Sequence, residues 1–238
     1  MSFTCEICKT NVLDKDLHDH YTACLLEKHK ENSGYLVRFV ATGEFTDEIY
    51  FLYALVGLSS KLSHIEMFLK RIWLECCGHL SQFTNISDDN KELSMTSSIS
   101  KYFKNTPGQK TALIPKLEYT YDFGSSTEVY IEILEKFPGD KKSSIIDLLV
   151  RNDKPNIKCY VCKKSANLCH EMNPICSKCS KVKKIDEKML LRLVNSPRTG
   201  ICAYGSEDIQ GIMSGVKKGV ISKGFWMHAN QSIYDYKY

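Results

Sequence analysis

Cysteines separated by two residues occur three times in this chain, at Cys5 and Cys8, Cys159 and Cys162, and Cys176 and Cys179. A Cys-x-x-Cys turn presents two thiolates on one side of a short loop, which is half of a tetrahedral zinc site. After eleven intervening residues the first pair is followed by His20 and then Cys24. At i and i+4 they share one face of a helix and can complete the tetrahedron. His18, about 200° round the same helix from His20, is the poorer ligand. The other two pairs are separated by thirteen residues, the spacing of a four-cysteine zinc ribbon in which two knuckles each present two thiolates. Cys169 and His170 lie between them and are the residues that could replace a ribbon ligand. Two structural zinc ions are therefore expected. Closed four-ligand sites leave no position for a substrate, so catalysis is not expected at either.

Eleven cysteines in 238 residues could instead be a disulfide scaffold. Such scaffolds are usually small and secreted, and the count here is odd. The opening MSFTCEICKTNVLDKD lacks a basic stretch followed by an apolar run. No apolar run approaches the ~20 residues that span a bilayer. A reducing, cytoplasmic setting is the expectation, in which the thiols are free to bind metal. Cys76, Cys77 and His79 invite a third site, but adjacent cysteines at the end of a packed helix read as small buried residues. Asp122-Phe123-Gly124 matches the magnesium motif of protein kinases without the phosphate loop, strand lysine or catalytic loop that accompany it. No Walker loop, Gly-x-Ser-x-Gly or His-Glu-x-x-His is present.

The formal charge of +4 is unevenly spread. Residues 1–150 carry 16 Lys/Arg and 21 Asp/Glu, whereas residues 151–238 carry 16 and 7, a formal −5 against +9. Four cysteinates and one Zn²⁺ would lower the second figure by about two. Lys163, Lys164, Lys178, Lys181, Lys183 and Lys184 surround the ribbon pairs and are the candidate nucleic-acid contacts.

The elements that must position these residues follow from periodicity. Asp14 can cap a helix through LHDHYTACLLEKHK, followed by HKENSG as a linker. YLVRFVATG and EIYFLYALV read as a β-hairpin about GEFTD. Ser63 and Glu66 form a capping box for a helix that carries Ile65, Phe68, Leu69 and Ile72 and ends at Gly78. Residues 79–86 read as a third strand, and 87–112 as a long polar loop with one short helix. Alternation about FGSS marks a second hairpin, in which Leu117, Tyr119 and Tyr121 pair with Val129, Ile131 and Ile133. Residues 145–150 make a further strand.

The runs IEMFLKRIWLECCGHLSQF, YTYDFGSSTEVYIEIL and LLVRNDKPNIKCYVC, in that order, resemble the pRiA plasmid ORF-three-like family, also described as passenger proteins of mobile elements. VNSPRTGICAYG resembles the closing motif of members that carry a cysteine-rich insertion. The resemblance spans residues 35–205 and implies an α+β domain in which a curved antiparallel sheet packs against helices. It carries over no settled activity. Relatives often have a further Cys-x-x-Cys in the insertion where this chain has Cys169 and His170, which argues against a two-metal insertion. Arg198 and Tyr204, in the closing motif, either line a site or brace the ribbon, and bracing is the expectation.

Three segments result: a CCHC zinc finger (1–32), an α+β domain (33–152) and a basic zinc-ribbon segment with the closing region (153–238). The finger, with almost no core, should owe most of its folding energy to zinc and fold separately from the domain behind it. The preferred function is a zinc-dependent binding protein, an adaptor or regulator that contacts nucleic acid and is associated with mobile elements. The alternatives are a protein–protein adaptor and an enzyme acting on nucleic acid or nucleotides. No catalytic residue is assigned.

Overall fold

In the computed structural model the described residues are 2–5, 8–13, 32–75, 77–102, 116–137, 141–142, 146–202 and 204, with 16, 19, 20, 23, 24 and 27. Asp14, His18, Cys76 and the tail NQSIYDYKY lie outside them. No helix among the described residues is long and apolar enough to cross a membrane.

Strands β1 (Ser2–Thr4) and β2 (Asn11–Leu13) form a small antiparallel ribbon ahead of the main sheet. The long hairpin β3 (Asn32–Gly43) and β4 (Thr46–Gly57) turns at Glu44 and Phe45. After it come α1 (Leu62–Leu69), β5 (Ser81–Asn85), β6 (Lys91–Leu93), and the second hairpin β7 (Lys116–Tyr121) and β8 (Thr127–Phe137). The short β9 (Lys141–Lys142) pairs parallel to the start of β3, and β10 (Ile146–Arg151) pairs antiparallel to β4. The sheet order is β10-β4-β3-β8-β7-β5-β6. With one helix laid across this antiparallel sheet the fold is α+β, as expected. The polar stretch after residue 86 contains β6 and a single 3-10 turn at Ile99–Lys101 among its described residues.

Alternation along the strands sends residues to two faces. Tyr35, Val37 and Phe39 of β3 point to the same side as Leu52 and Ala54 of β4 and Ile131 of β8, where they meet Ile65, Phe68 and Ile72. Phe39 and Phe68 pack with ring centroids 5.8 Å apart. The other face carries Leu36, Phe51, Tyr53, Leu55, Leu149 and Val150, and these are covered by Cys5 and Val12 of the N-terminal segment. The finger is therefore not a free-standing unit. Its buried residues are part of the sheet's second core. The run from Tyr50 to Val56 is apolar without interruption because both of its faces are covered.

The helix departs from expectation at both ends. Its N-cap is Lys61, whose backbone N–H donates to His64 Nδ1 at 3.3 Å, and Ser63 lies inside the first turn. Glu66 instead reaches over the sheet, pairs with Lys70 at 3.0 Å and accepts from Tyr119 and Ser81. The α-helix gives way to a π-turn over Lys70–Leu74, where Glu75 N–H donates to Lys70 O at 2.8 Å. The helical path is finished at Leu74, four residues before Gly78, because Trp73 and Leu74 are drawn into the core. Ser196 Oγ donates to Trp73 O at 2.6 Å and supplies a partner for a carbonyl at the helix end.

The C-terminal segment has its own small sheet of β12 (Asn173–Ile175), β11 (Leu168–His170) and β13 (Leu191–Arg192), with helix α2 (Ser177–Val182) after β12. Its core contains Ile157, Ala166, Cys169, Ile175 and Leu193, and Phe45 from the tip of the β3–β4 hairpin packs into it. At Gly200, with φ +76°, a Cβ would come within 2.7 Å of the Phe45 ring. Only glycine permits both this left-handed backbone and so close an approach.

Candidate metal centres

Both four-residue groups read from the sequence are assembled. Cys5, Cys8, His20 and Cys24 present their ligand atoms within 4.8 Å of one another, as do Cys159, Cys162, Cys176 and Cys179. In the first, Cys5 Sγ is 4.0 Å from Cys24 Sγ and Cys8 Sγ is 3.4 Å from His20 Nε2. In the second, Cys162 Sγ is 3.7 Å from Cys176 Sγ. Zinc bond lengths in a tetrahedron put two sulfurs ~3.8 Å apart and a sulfur and a nitrogen ~3.6 Å apart. Either group could hold a metal ion with only small adjustments. Asp19, His20, Ala23, Cys24 and Glu27 are helical, which gives His20 and Cys24 their common face.

The first pair of each group is built the same way. Cys5 N–H donates to Thr10 O and Lys9 N–H to Cys5 O, both at 2.9 Å. Cys159 N–H donates to Lys164 O at 2.7 Å and Lys163 N–H to Cys159 O at 2.9 Å. Lys9 and Lys163 both take the left-handed conformation, with φ 61° and 60°. This turn folds the chain back so that both cysteines of the pair face the other two residues of the group. The second ribbon pair is not a knuckle, contrary to expectation. Cys176 is the N-cap of α2, Cys179 lies in its first turn, and Cys179 N–H donates to Cys176 Sγ. The helix-forming run Ser177–Val182 makes the difference, and Asn167 holds its start by accepting from Ser177 N–H at 3.0 Å. Nothing in the sequence singles out Asn167, because its role depends on a contact ten residues away.

Without metal the thiols ionise unequally. The Thr10 hydroxyl and then its backbone N–H pull Cys8 down to about 6, while burial, the Cys8 thiolate and Cys5 push Cys24 up to about 12. Burial alone would raise Cys159, but the backbone N–H groups of Cys162, Cys176 and Val161 hold it at about 6. The Cys179 N–H lowers Cys176. Hydrogen bonding to Cys176 and then burial raise Cys179 to about 12. Each group thus has a thiolate ready to receive a cation and a thiol whose proton the cation must displace.

Cys169 is not a ribbon ligand. It is fully buried on β11 under Gly200, where burial pushes its thiol up to about 11, and the half-buried His170 also stands outside the four-ligand group. Lys163, Lys164, Lys178, Lys181, Lys183 and Lys184 are all exposed. Lys183 Nζ lies 5.4 Å from the centroid of the Tyr160 ring, which connects the end of α2 to the first knuckle.

Arg198 braces the sheet hairpin, not the ribbon. Its fully buried guanidinium donates to Ser125 O at 2.8 Å, to Thr127 Oγ1 and to the Asp122 carboxylate, and lies 4.9 Å from the centroid of the Tyr121 ring. Burial alone would raise the Asp122 carboxyl, but hydrogen bonds from Arg198, Gly124 and Ser125 hold it below the usual range. Asp122-Phe123-Gly124 is thus the turn that receives this arginine, with Gly124 N–H on Asp122 Oδ1 at 3.0 Å. Tyr204 is buried, and its backbone closes the turn begun at Gly200.

No protein-family model and no curated protein matches the chain. Among solved structures, a protein of unknown function from Methanosarcina mazei aligns with 15% identity and a TM-score of 0.38 over 50% of this chain and 68% of that one. That likeness bears on neither fold nor function.

Proposed function

We propose that this chain is a zinc-dependent binding protein, an adaptor or regulator whose basic ribbon contacts nucleic acid. The observation that carries the reading is the pair of closed four-ligand groups, one of which is surrounded by exposed lysines. Thiolate and imidazole donors at tetrahedral spacing suit zinc over harder cations. None of the described cysteines is in a disulfide, as ligation requires, and a reducing cytoplasm would keep them so. A structural ion stabilises small loops that have little core of their own. Here those loops carry Lys163, Lys164, Lys178, Lys181, Lys183 and Lys184, and Tyr160 adds an exposed aromatic face among the cations. Cations beside a stacking surface suit single-stranded nucleic acid. The resemblance to the pRiA plasmid ORF-three-like family supports an association with mobile elements.

The test is salt dependence. Phosphate contacts release counterions, so affinity for DNA or RNA should fall steeply with salt. Replacing Lys181, Lys183 and Lys184 by Gln should weaken binding at unchanged zinc content. The salt slope should also fall, by roughly one unit for each phosphate the variant no longer neutralises. If the parent binds neither DNA nor RNA at ~50 mM salt, or the triple variant binds as the parent does, the lysines only solvate the ribbon and the protein–protein adaptor becomes the better reading.

A further inference from the structure

Where the chain leaves the π-turn for β5 it meets its own closing motif, and three metal-ligating side chains converge there. The ligand atoms of Cys77, His79 and Cys202 lie within 4.8 Å of one another. Cys77 Sγ is 3.0 Å from His79 Nε2 and 3.6 Å from Cys202 Sγ. The sulfur–sulfur distance is close to the tetrahedral edge of ~3.8 Å, and His79 needs to withdraw by only about half an ångström. Cys77 is exposed, which corrects the expectation of a small buried residue at a helix end.

The surroundings of these residues are organised as a ligand site requires. Cys77 and His79 are two apart, and in an extended chain they would share one side of the strand but stand nearly 7 Å apart, roughly two strand rises. Gly78 lies between them at φ +81° with open space about its Cβ position, so the glycine is there for its backbone freedom. Its N–H donates to Glu75 Oε1 at 2.6 Å, which also accepts from Tyr121 Oη at 3.0 Å, and His79 N–H donates to that same Oη at 3.3 Å. His79 Nδ1 stands 3.5 Å from Asp122 Oδ1, leaving Nε2 toward the sulfurs. A carboxylate behind a histidine in this way fixes the ring and strengthens it as a metal ligand. Asp122 is itself held by the buried Arg198, four residues before Cys202. Cys202 sits at φ 53°, a conformation that costs a non-glycine residue energy and concentrates at functional positions.

A disulfide between Cys77 and Cys202 would use none of this. The sulfurs would have to close to about 2.0 Å, and neither His79 nor the Asp122 behind it has a part in that bond. We propose that Cys77, His79 and Cys202 bind a third zinc-class divalent ion; among the described residues these three are its ligands, which leaves a fourth position for water or an anionic ligand. Three protein ligands with one open position is the arrangement of zinc sites that engage exchangeable ligands, in contrast to the two closed centres. The proposal goes beyond the binding function above and does not depend on it.

The full chain, loaded with zinc and freed of excess by gel filtration, should carry three zinc ions per molecule. Cys202→Ser and His79→Ala, on separate segments, should each carry two, and Cys169→Ser should retain three. In the cobalt-loaded protein, azide should shift the visible spectrum of the parent but not that of Cys202→Ser. Equal zinc content in the parent and both variants would overturn the proposal. So would a Cys77–Cys202 disulfide in freshly purified protein containing two zinc ions. A cobalt spectrum insensitive to azide in the three-metal parent would overturn the open position.

Discussion

Arg198 shows how one residue can define a region without touching a ligand. Its guanidinium is buried and its charge is answered by Asp122 across seventy-six residues of chain. Removing one member of such a pair leaves the other largely buried without its counter-ion, which costs about 3–5 kcal/mol. Arg198→Met should therefore lower the unfolding free energy by about that much in urea titration. A decrease under ~1 kcal/mol would mean that the pair behaves as an exposed ion pair. In the sequence, Asp122-Phe123-Gly124 matches a kinase motif whose companion motifs are missing, and Arg198 is expected to brace the ribbon. The pairing itself is not legible there, since nothing local to either residue names the other. The eight residues of the two four-residue groups are legible because their spacing is local and chemical. Cys202 is not, because it lies 125 residues from Cys77.

At the scale of elements, the strands of the two hairpins can be read close to their observed limits, β7 and β8 by a two-residue period, whereas β1, β2, β6, β9 and β11–β13 are too short to leave one. The helix ends cannot be read so closely. Ser63 and Glu66 have the spacing of a capping box, but Glu66 is taken up by Lys70, Ser81 and Tyr119, a tertiary demand that overrides local preference. The docking of the finger does leave a signal. Seven successive apolar residues from Tyr50 to Val56 do not alternate, as a strand with one wet face would. Docking changes what removing the finger's metal should do. Burying Val12 is worth ~1.5–3 kcal/mol, and the sheet face beneath it is apolar. Cys8→Ser should unfold the finger, leave the sheet folded around its inner core, and lower its stability while increasing binding of a hydrophobic dye. Unchanged sheet stability and dye binding in Cys8→Ser would mean that Cys5 and Val12 do not hold that face closed.

For the whole molecule, the two groups that could hold a metal lie where the core is smallest. The central sheet has a large inner cluster of its own. The ribbon has a small one, and the finger only adds Cys5 and Val12 to the cluster on the sheet's second face; cysteines of the four-residue groups belong to both clusters. Phe45 carries the ribbon's packing back to the β3–β4 hairpin, and Cys5 with Val12 carries the finger's to the second face of the sheet. On the proposed reading, zinc would be the condition for presenting the basic surface, and a binding partner would be met by loops that the ions hold. The most direct measurement is zinc per chain in the parent, Cys8→Ser, Cys162→Ser and the double variant, each purified without added metal. Each single variant should have one zinc fewer than the parent and the double variant two fewer. A parent without zinc, or single variants with the parent's full content, would show that these groups are not metal centres.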